Sequence, residues 1–313
     1  MTQRVLICGS IAFDTIMNFD GKFKDQILPD QVHILNVAFL VPQLRKDFGG
    51  CAGNIAYSLN MLEGRPVPMA TVGHDCQGYI KRLEEMGIPT PHLKVIDSEF
   101  TAQAFITTDQ DDNQITAFHP GAMSHSHLNL IKDAVDIGLA IIAPDGRDGM
   151  IEHAEELAKA DIPFVFDPGQ GLPMFGKPEL DRFLSLATYA AVNDYEGKML
   201  CDKTGQSLED IASGLKALIV TRGGEGSWVF TGGQRIDIPC VKASEIVDPT
   251  GCGDAYRGGL LYGLSNGMSI EDSARLASLM GSLKIAHKGG QNYQFDRRDI
   301  AKLFETEFGH RPW

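Results

Sequence analysis

Arg4-Val5-Leu6-Ile7-Cys8-Gly9-Ser10 sets the fold. Its apolar run leaves no polar face, so it predicts a strand buried on both sides that gives way to a loop at Gly9-Ser10. The same unit recurs at residues 68–73, 139–143, 164–167, 189–193 and 217–221, each short, apolar and bounded by Gly, Pro, Asp or Asn. Between these runs, residues 53–62, 78–86, 149–160, 179–186 and 207–215 carry helical patterns. Strands alternating with helices predict right-handed βαβ units. The fold class expected is therefore α/β, a doubly wound, mostly parallel central sheet with helices on both faces. Residues 254–265, 269–287 and 297–307 read as further helices, the first two rich in the Ala, Gly and Leu that close packing on a sheet requires.

Two stretches break this rhythm. Residues of about 13–47, including 36–41, and about 100–119, including 101–107 and 114–118, alternate as antiparallel strands do. They predict a small β-sheet lid, an excursion from one domain spanning residues 1–313. No low-complexity segment, internal repeat or long linker divides the chain.

Composition narrows the function. A formal net charge of -13 argues against a nucleic-acid partner, since that binding draws on clustered Lys and Arg. The six cysteines lie far apart and never form C-x-x-C, which predicts reduced thiols in a cytoplasmic protein. The N-terminus lacks the h-region of a signal peptide, and no run approaches 18 apolar residues, so no membrane contact is expected. His119, His125 and His127 match no standard metal-ligand spacing.

The chemistry concentrates in Ile246-Val247-Asp248-Pro249-Thr250-Gly251-Cys252-Gly253-Asp254-Ala255-Tyr256-Arg257. A glycine turn opening directly into a helix aims unpaired N–H groups and the positive helix end at one point, where an anion binds. Asp254 in the first turn can face that point and accept a proton from a hydroxyl. A favourable first-turn acid beside an ordinary turn is the alternative reading. Earlier, Phe48-Gly49-Gly50-Cys51-Ala52-Gly53-Asn54 lets backbone approach a ligand, and Asn54 offers a donor and an acceptor suited to hydroxyls. Asn193-Asp194-Tyr195-Glu196 reads by itself as a helix cap with Glu at its third position. G-x-x-x-x-G-K-[ST] is absent, so this is no P-loop kinase, and G-x-G-x-x-G is missing after the first strand, which disfavours a dinucleotide-dependent oxidoreductase.

The set resembles the PfkB/ribokinase family of carbohydrate and nucleoside kinases over essentially the whole chain. D-x-T-G-x-G-D is present as Asp248, Thr250, Gly251, Gly253 and Asp254, and G-G-x-x-x-N as Gly49, Gly50 and Asn54. The resemblance implies a ribokinase-like fold and transfer of the ATP γ-phosphoryl group, with Asp254 as base and the Gly251, Cys252 and Gly253 amides stabilising the transferred charge. It further implies Asp14, Gly49, Gly50 and Asn54 around the acceptor, and Asn193, Thr221, Gly223, Gly226, His287 and Gly290 around the nucleotide. Glu196 would organise Mg²⁺ through water, and Asp248 with Thr250 would border a monovalent cation such as K⁺. The segments 248–257 and 290–293 look closest to the bacterial adenosine-kinase-like branch, which puts adenosine first as acceptor and a free sugar such as ribose or fructose second. Phe118 or Phe39 would stack on a purine or serve as lid core. A non-catalytic ligand-binding regulator on the same fold has no need of Asp254. A homodimer through the lid edges is a further expectation.

Overall fold

The computed structural model describes residues 2–27, 36–111 and 113–313, so part of the expected excursion, residues 28–35, lies outside the described residues. In chain order the strands are β1 (Arg4–Cys8), β2 (Ala12–Asn18), β3 (Gln43–Gly49), β4 (Arg65–Gly73), β5 (Leu93–Ile96), β6 (Ala102–Thr108), β7 (Gln114–His119), β8 (Ile137–Ile142), β9 (Phe164–Phe166), β10 (Tyr189–Asn193), β11 (Ala217–Thr221), β12 (Ser227–Thr231) and β13 (Gln234–Ile238). The α-helices are α1 (Phe23–Gln26), α2 (Cys51–Met61), α3 (Gln77–Glu85), α4 (Arg147–Lys159), α5 (Lys177–Leu186), α6 (Asp194–Thr204), α7 (Leu208–Ser213), α8 (Cys252–Ser265), α9 (Ile270–Ile285) and α10 (Arg297–Phe308).

The large sheet runs β13-β12-β11-β10-β9-β8-β1-β4-β5. Every pair from β5 to β11 is parallel, and β12 and β13 close one edge as an antiparallel hairpin. Alternation within the buried strands builds two cores. Val5, Ile7, Leu139, Ile141 and Ile219 face α2, α3, α8, α9 and α10. Leu6, Cys8, Ala140, Ile142 and Leu218 face α4, α5, α6 and α7. Truncating one such side chain, as in Ile141→Ala, removes about 2–5 kcal/mol of stability. Among the described residues no helix is long and apolar enough to cross a membrane.

The lid is a separate four-stranded sheet ordered β3-β2-β6-β7, with β2 and β6 parallel and both outer pairs antiparallel. One of its strands, β3, begins later than the pattern suggested. Residues 36–41 alternate yet form no strand, because Pro42 follows and pairing starts only at Gln43. Phe39 packs instead against Phe19 and Phe23, with ring centroids 4.9 and 5.0 Å away, which makes it lid core. The hairpin β12–β13 turns on Gly232 and Gly233, both at positive φ (56° and 75°), a two-glycine turn that the alternation of strands and helices did not announce.

Residues just beyond the carboxyl ends of β1, β8 and β9, together with the last residues of β10 and β11, point toward one side of the large sheet. Ser10, Pro144, Asp167, Asn193 and Thr221 line clefts there, the expected place for a ligand in an open α/β sheet.

Candidate active site

α8 begins at Gly251, whose φ of 75° lies in the left-handed region, and a Cβ there would come 3.0 Å from the Gly290 Cα. The turn therefore needs glycine for both conformation and space. Among the described residues the Gly251 and Gly253 N–H groups have no protein acceptor, whereas the Cys252 N–H donates to Pro249 O at 3.1 Å. Of the three amides expected, two are thus presented at the helix start, joined by the Asp254 N–H, which also has no protein acceptor among the described residues; the Cys252 N–H is spent on the turn at Pro249.

Asp254 follows in the first turn, and its Oδ2 accepts from Asn54 Nδ2 at 2.8 Å. Burial pushes its carboxyl up to about 6, with Asp167 adding to the rise and the Asn54 hydrogen bond and Arg257 opposing it. A base near the operating pH is what proton transfer requires. Its partner is itself held in place. Gln291, buried on the loop after α9, donates through Nε2 to Asn54 Oδ1 at 3.0 Å and to the Tyr79 hydroxyl. The Tyr79 hydroxyl donates in turn to Gly49 O at 2.8 Å. A carbonyl only accepts, so the direction of every bond is forced: Tyr79 gives to Gly49, Gln291 gives to Tyr79 and to Asn54, and Asn54 turns its NH₂ toward Asp254. The chain ends on a carboxylate oxygen and favours its ionised form.

In the lid, Asp14 of β2 lies opposite Asp47 of β3. Burial pushes the Asp14 carboxyl up to about 6, with Asp47 and Asp248 adding to it and Arg45 opposing. A Cβ on Gly50, at φ 84°, would sit 2.5 Å from Ala12 N, so that glycine is required, whereas a Cβ on Gly49 would sit 2.3 Å from Asp14 Oδ2 and displace that carboxylate. Ser10 supports them by accepting the Cys51 N–H on its side chain and the Ala52 N–H on its carbonyl. Asp14, Gly50, Asn54, Phe118, Thr250, Gly251 and Asp254 line one cleft of about 500 Å³, to which Ile106, Phe118, Met123 and Met174 add apolar surface.

A second cleft of about 490 Å³ opens over Asn193, Glu196, Thr221, Gly251, Gly253, Asp254 and Arg257. The two clefts meet at Gly251 and Asp254. Asn193 and Glu196 form the reciprocal cap: Asn193 Oδ1 accepts the Glu196 N–H at 2.7 Å, and Glu196 Oε2 accepts the Asn193 N–H at 2.8 Å. Oε1 takes no protein donor among the described residues, so a cap and a ligand role are compatible. Gly223 and Gly226 shape the turn after β11 at φ 53° and 85°, but with His287 and Gly290 they line neither cleft. Gly290 packs on Asn54 instead, a Cβ there coming 2.5 Å from Asn54 Oδ1.

Several residues of the site were not foreseen. Arg257, one turn beyond Asp254 on the same helix face, makes a buried bidentate pair with Asp167, both contacts at 3.0 Å. Spacing from Asp254 offered a signal for Arg257. None existed for Asp167, Tyr79 or Gln291, whose partners lie far away in sequence.

A mostly parallel sheet, a lid, and a glycine-turn helix whose acid lies where two clefts join define a ribokinase-like kinase fold. The chain belongs to the pfkB family of carbohydrate kinases, whose model matches residues 14–296. The nucleoside kinase of Burkholderia thailandensis, solved in complex with inosine, superimposes with a TM-score of 0.90 at 54% identity, covering 98% of this chain and 99% of that one. The same protein has been solved in complex with ADP-inosine. The nucleoside kinase of Methanocaldococcus jannaschii is 30% identical over 291 residues, 92% of each chain, and its crystal structure gives a TM-score of 0.88.

Proposed function

We propose that the protein is an ATP-dependent nucleoside kinase that phosphorylates the hydroxymethyl group of a purine nucleoside, with adenosine and inosine as the acceptors to test first. The observation that carries this reading is the junction of the two clefts at Gly251 and Asp254. Asp254 removes the proton from the attacking hydroxyl, which the Asp14 carboxylate and the Gly49–Gly50 backbone hold in place through the sugar hydroxyls. The free Gly251 and Gly253 N–H groups meet the charge developing on the transferred phosphoryl oxygens. Mg²⁺ entering with ATP would neutralise the phosphates, with Glu196 holding it through water, since among the described residues no group of three His, Cys, Asp or Glu side chains is placed to bind a metal alone.

A nucleoside suits the acceptor cleft better than a free sugar does. The apolar lining supplied by Ile106, Phe118, Met123 and Met174 suits a base, whereas a sugar alone would leave much of it facing water. An ADP-release assay with ATP, Mg²⁺ and a panel of adenosine, inosine, other nucleosides, ribose and fructose tests the reading. Release that depends on a purine nucleoside is expected; release with free sugars alone moves the assignment to a sugar kinase, and none with any acceptor removes catalysis. The free lid edges, β3 and β7, with Leu44 and Ile115 exposed, suit pairing with a second copy. Light scattering is expected to give a dimer, and a monomeric mass ends that part of the proposal.

A further inference from the structure

The resemblance implies a monovalent cation at Asp248 and Thr250, and the residues gathered there do not fit one. Lys284, in the last turn of α9, is fully buried. Its Nζ donates to Asp248 O at 2.6 Å and to His287 O at 3.1 Å. The His287 N–H donates back to Lys284 O at 2.9 Å, so the helix end and the following turn close around the same ammonium. The Asp248 carboxylate spends Oδ1 on the Thr250 N–H and Oδ2 on the Gly289 N–H, each at 2.8 Å. Main-chain carbonyls beside a carboxylate are the surroundings a weakly hydrated monovalent cation selects. Here an ammonium tethered to the chain has them already, and a mobile cation brought against it would be repelled.

The charges around Lys284 fit this role. Burial lowers its tendency to hold a proton, while Cys252, Asp248 and Asp254 act in the opposite direction and Arg45 adds to the lowering. A buried charge is tolerated where hydrogen-bond acceptors and opposite charges receive it, and both are present. The position is also consequential. Lys284 ties the carbonyl of Asp248 to the turn at His287, three residues before the Gly251 turn that begins α8.

We infer that Lys284 is a built-in replacement for the monovalent cation, fixing the 248–251 segment against the 287–289 turn so that the enzyme works without K⁺. The inference rests on the proposed kinase activity for one arm of its test only. In that arm, ADP release with adenosine is compared in tetramethylammonium, sodium, ammonium and potassium chloride at equal ionic strength. The native enzyme is expected to vary by no more than about twofold, the scale of general salt effects on a partly buried site. Lys284→Met is expected to lose roughly tenfold or more in tetramethylammonium, because its carbonyls and carboxylate are left without a cation, and to recover in potassium or ammonium. In the second arm, thermal unfolding needs no catalysis: potassium is expected to raise the midpoint of Lys284→Met by several degrees over tetramethylammonium and to leave the native midpoint unchanged. Saturable activation of the native enzyme by K⁺ overturns the inference, as does a Lys284→Met protein indifferent to potassium in both arms. Should that variant fail to fold, the native salt series alone decides. Absence of ADP release from the native protein in every salt would count against the kinase reading, while the unfolding arm would still settle the cation.

Discussion

The large sheet and the lid use their side chains in different ways. In the large sheet β1, β8 and β11 are buried on both faces, and the clefts lie beyond their carboxyl ends, on turns that lead into helices. In the lid, β7 is exposed along its whole length, and its Phe118 reaches the acceptor cleft while remaining half exposed. On the proposed function the difference separates two tasks: the body would fix the reaction, and the lid would decide what is allowed to react. Substitutions in the body should therefore act on kcat, and those in the lid on the affinity for the acceptor.

The body should give the largest effect. Asp254→Asn is expected to lower kcat by roughly two to four orders of magnitude, the usual contribution of a general base, while calorimetry shows ATP still bound. Near-normal turnover would break the division at its most important point. Asp14→Asn, on β2 of the lid, is expected to raise KM for the nucleoside by roughly ten- to a hundredfold, the scale of a lost hydrogen bond to a charged group, with a smaller change in kcat. A loss confined to kcat would place Asp14 with the body. Gln291→Met tests the hydrogen-bond chain from Gly49 to Asp254. Without the Gln291 donor, Asn54 is free to turn its oxygen toward the carboxylate, and kcat is expected to fall about tenfold with KM for ATP unchanged. Equal loss of kcat and thermal stability, with the pH profile unmoved, would reduce Gln291 to a packing residue. The smallest effect belongs to Phe118→Ala. It should raise KM for adenosine or inosine by about three- to tenfold through lost aromatic contact, and leave any weak use of ribose untouched.

The same contrast explains what was legible in the sequence. Buried parallel strands show as unbroken apolar runs, so β1, β8, β10 and β11 could be read directly, as could the helices between them. The lid alternates polar and apolar residues as loops also do, and the segment 36–41 shows the cost: Phe39 serves an aromatic cluster, so its alternation reports packing rather than pairing. Glycines at 50 and 251 were legible because conformation and space leave no other choice. Asp167 and Arg257 meet across 90 positions of sequence, and Gln291 and Asn54 across 237, distances at which no local pattern carries information. Lys284 sits in an otherwise apolar helical turn and reads as an ordinary charged helix residue until its two carbonyl partners are placed around it.

The pH dependence of kcat at saturating nucleoside, run on the native enzyme beside Asp14→Asn, tests the central claim most directly, because both carboxyls are raised to about 6 and only Asp254 is left to titrate in that variant. Asp254 has its carboxyl raised to about 6, so its basic form is complete well above that pH and is lost as pH falls through it. The expected result is a plateau above neutrality and, below a pH of about 6, a fall of kcat by tenfold per pH unit, with the limb displaced upward in Gln291→Met. A kcat that stays level from neutral pH down to about 5, the lower part of the carboxylate range, would contradict Asp254 as the base.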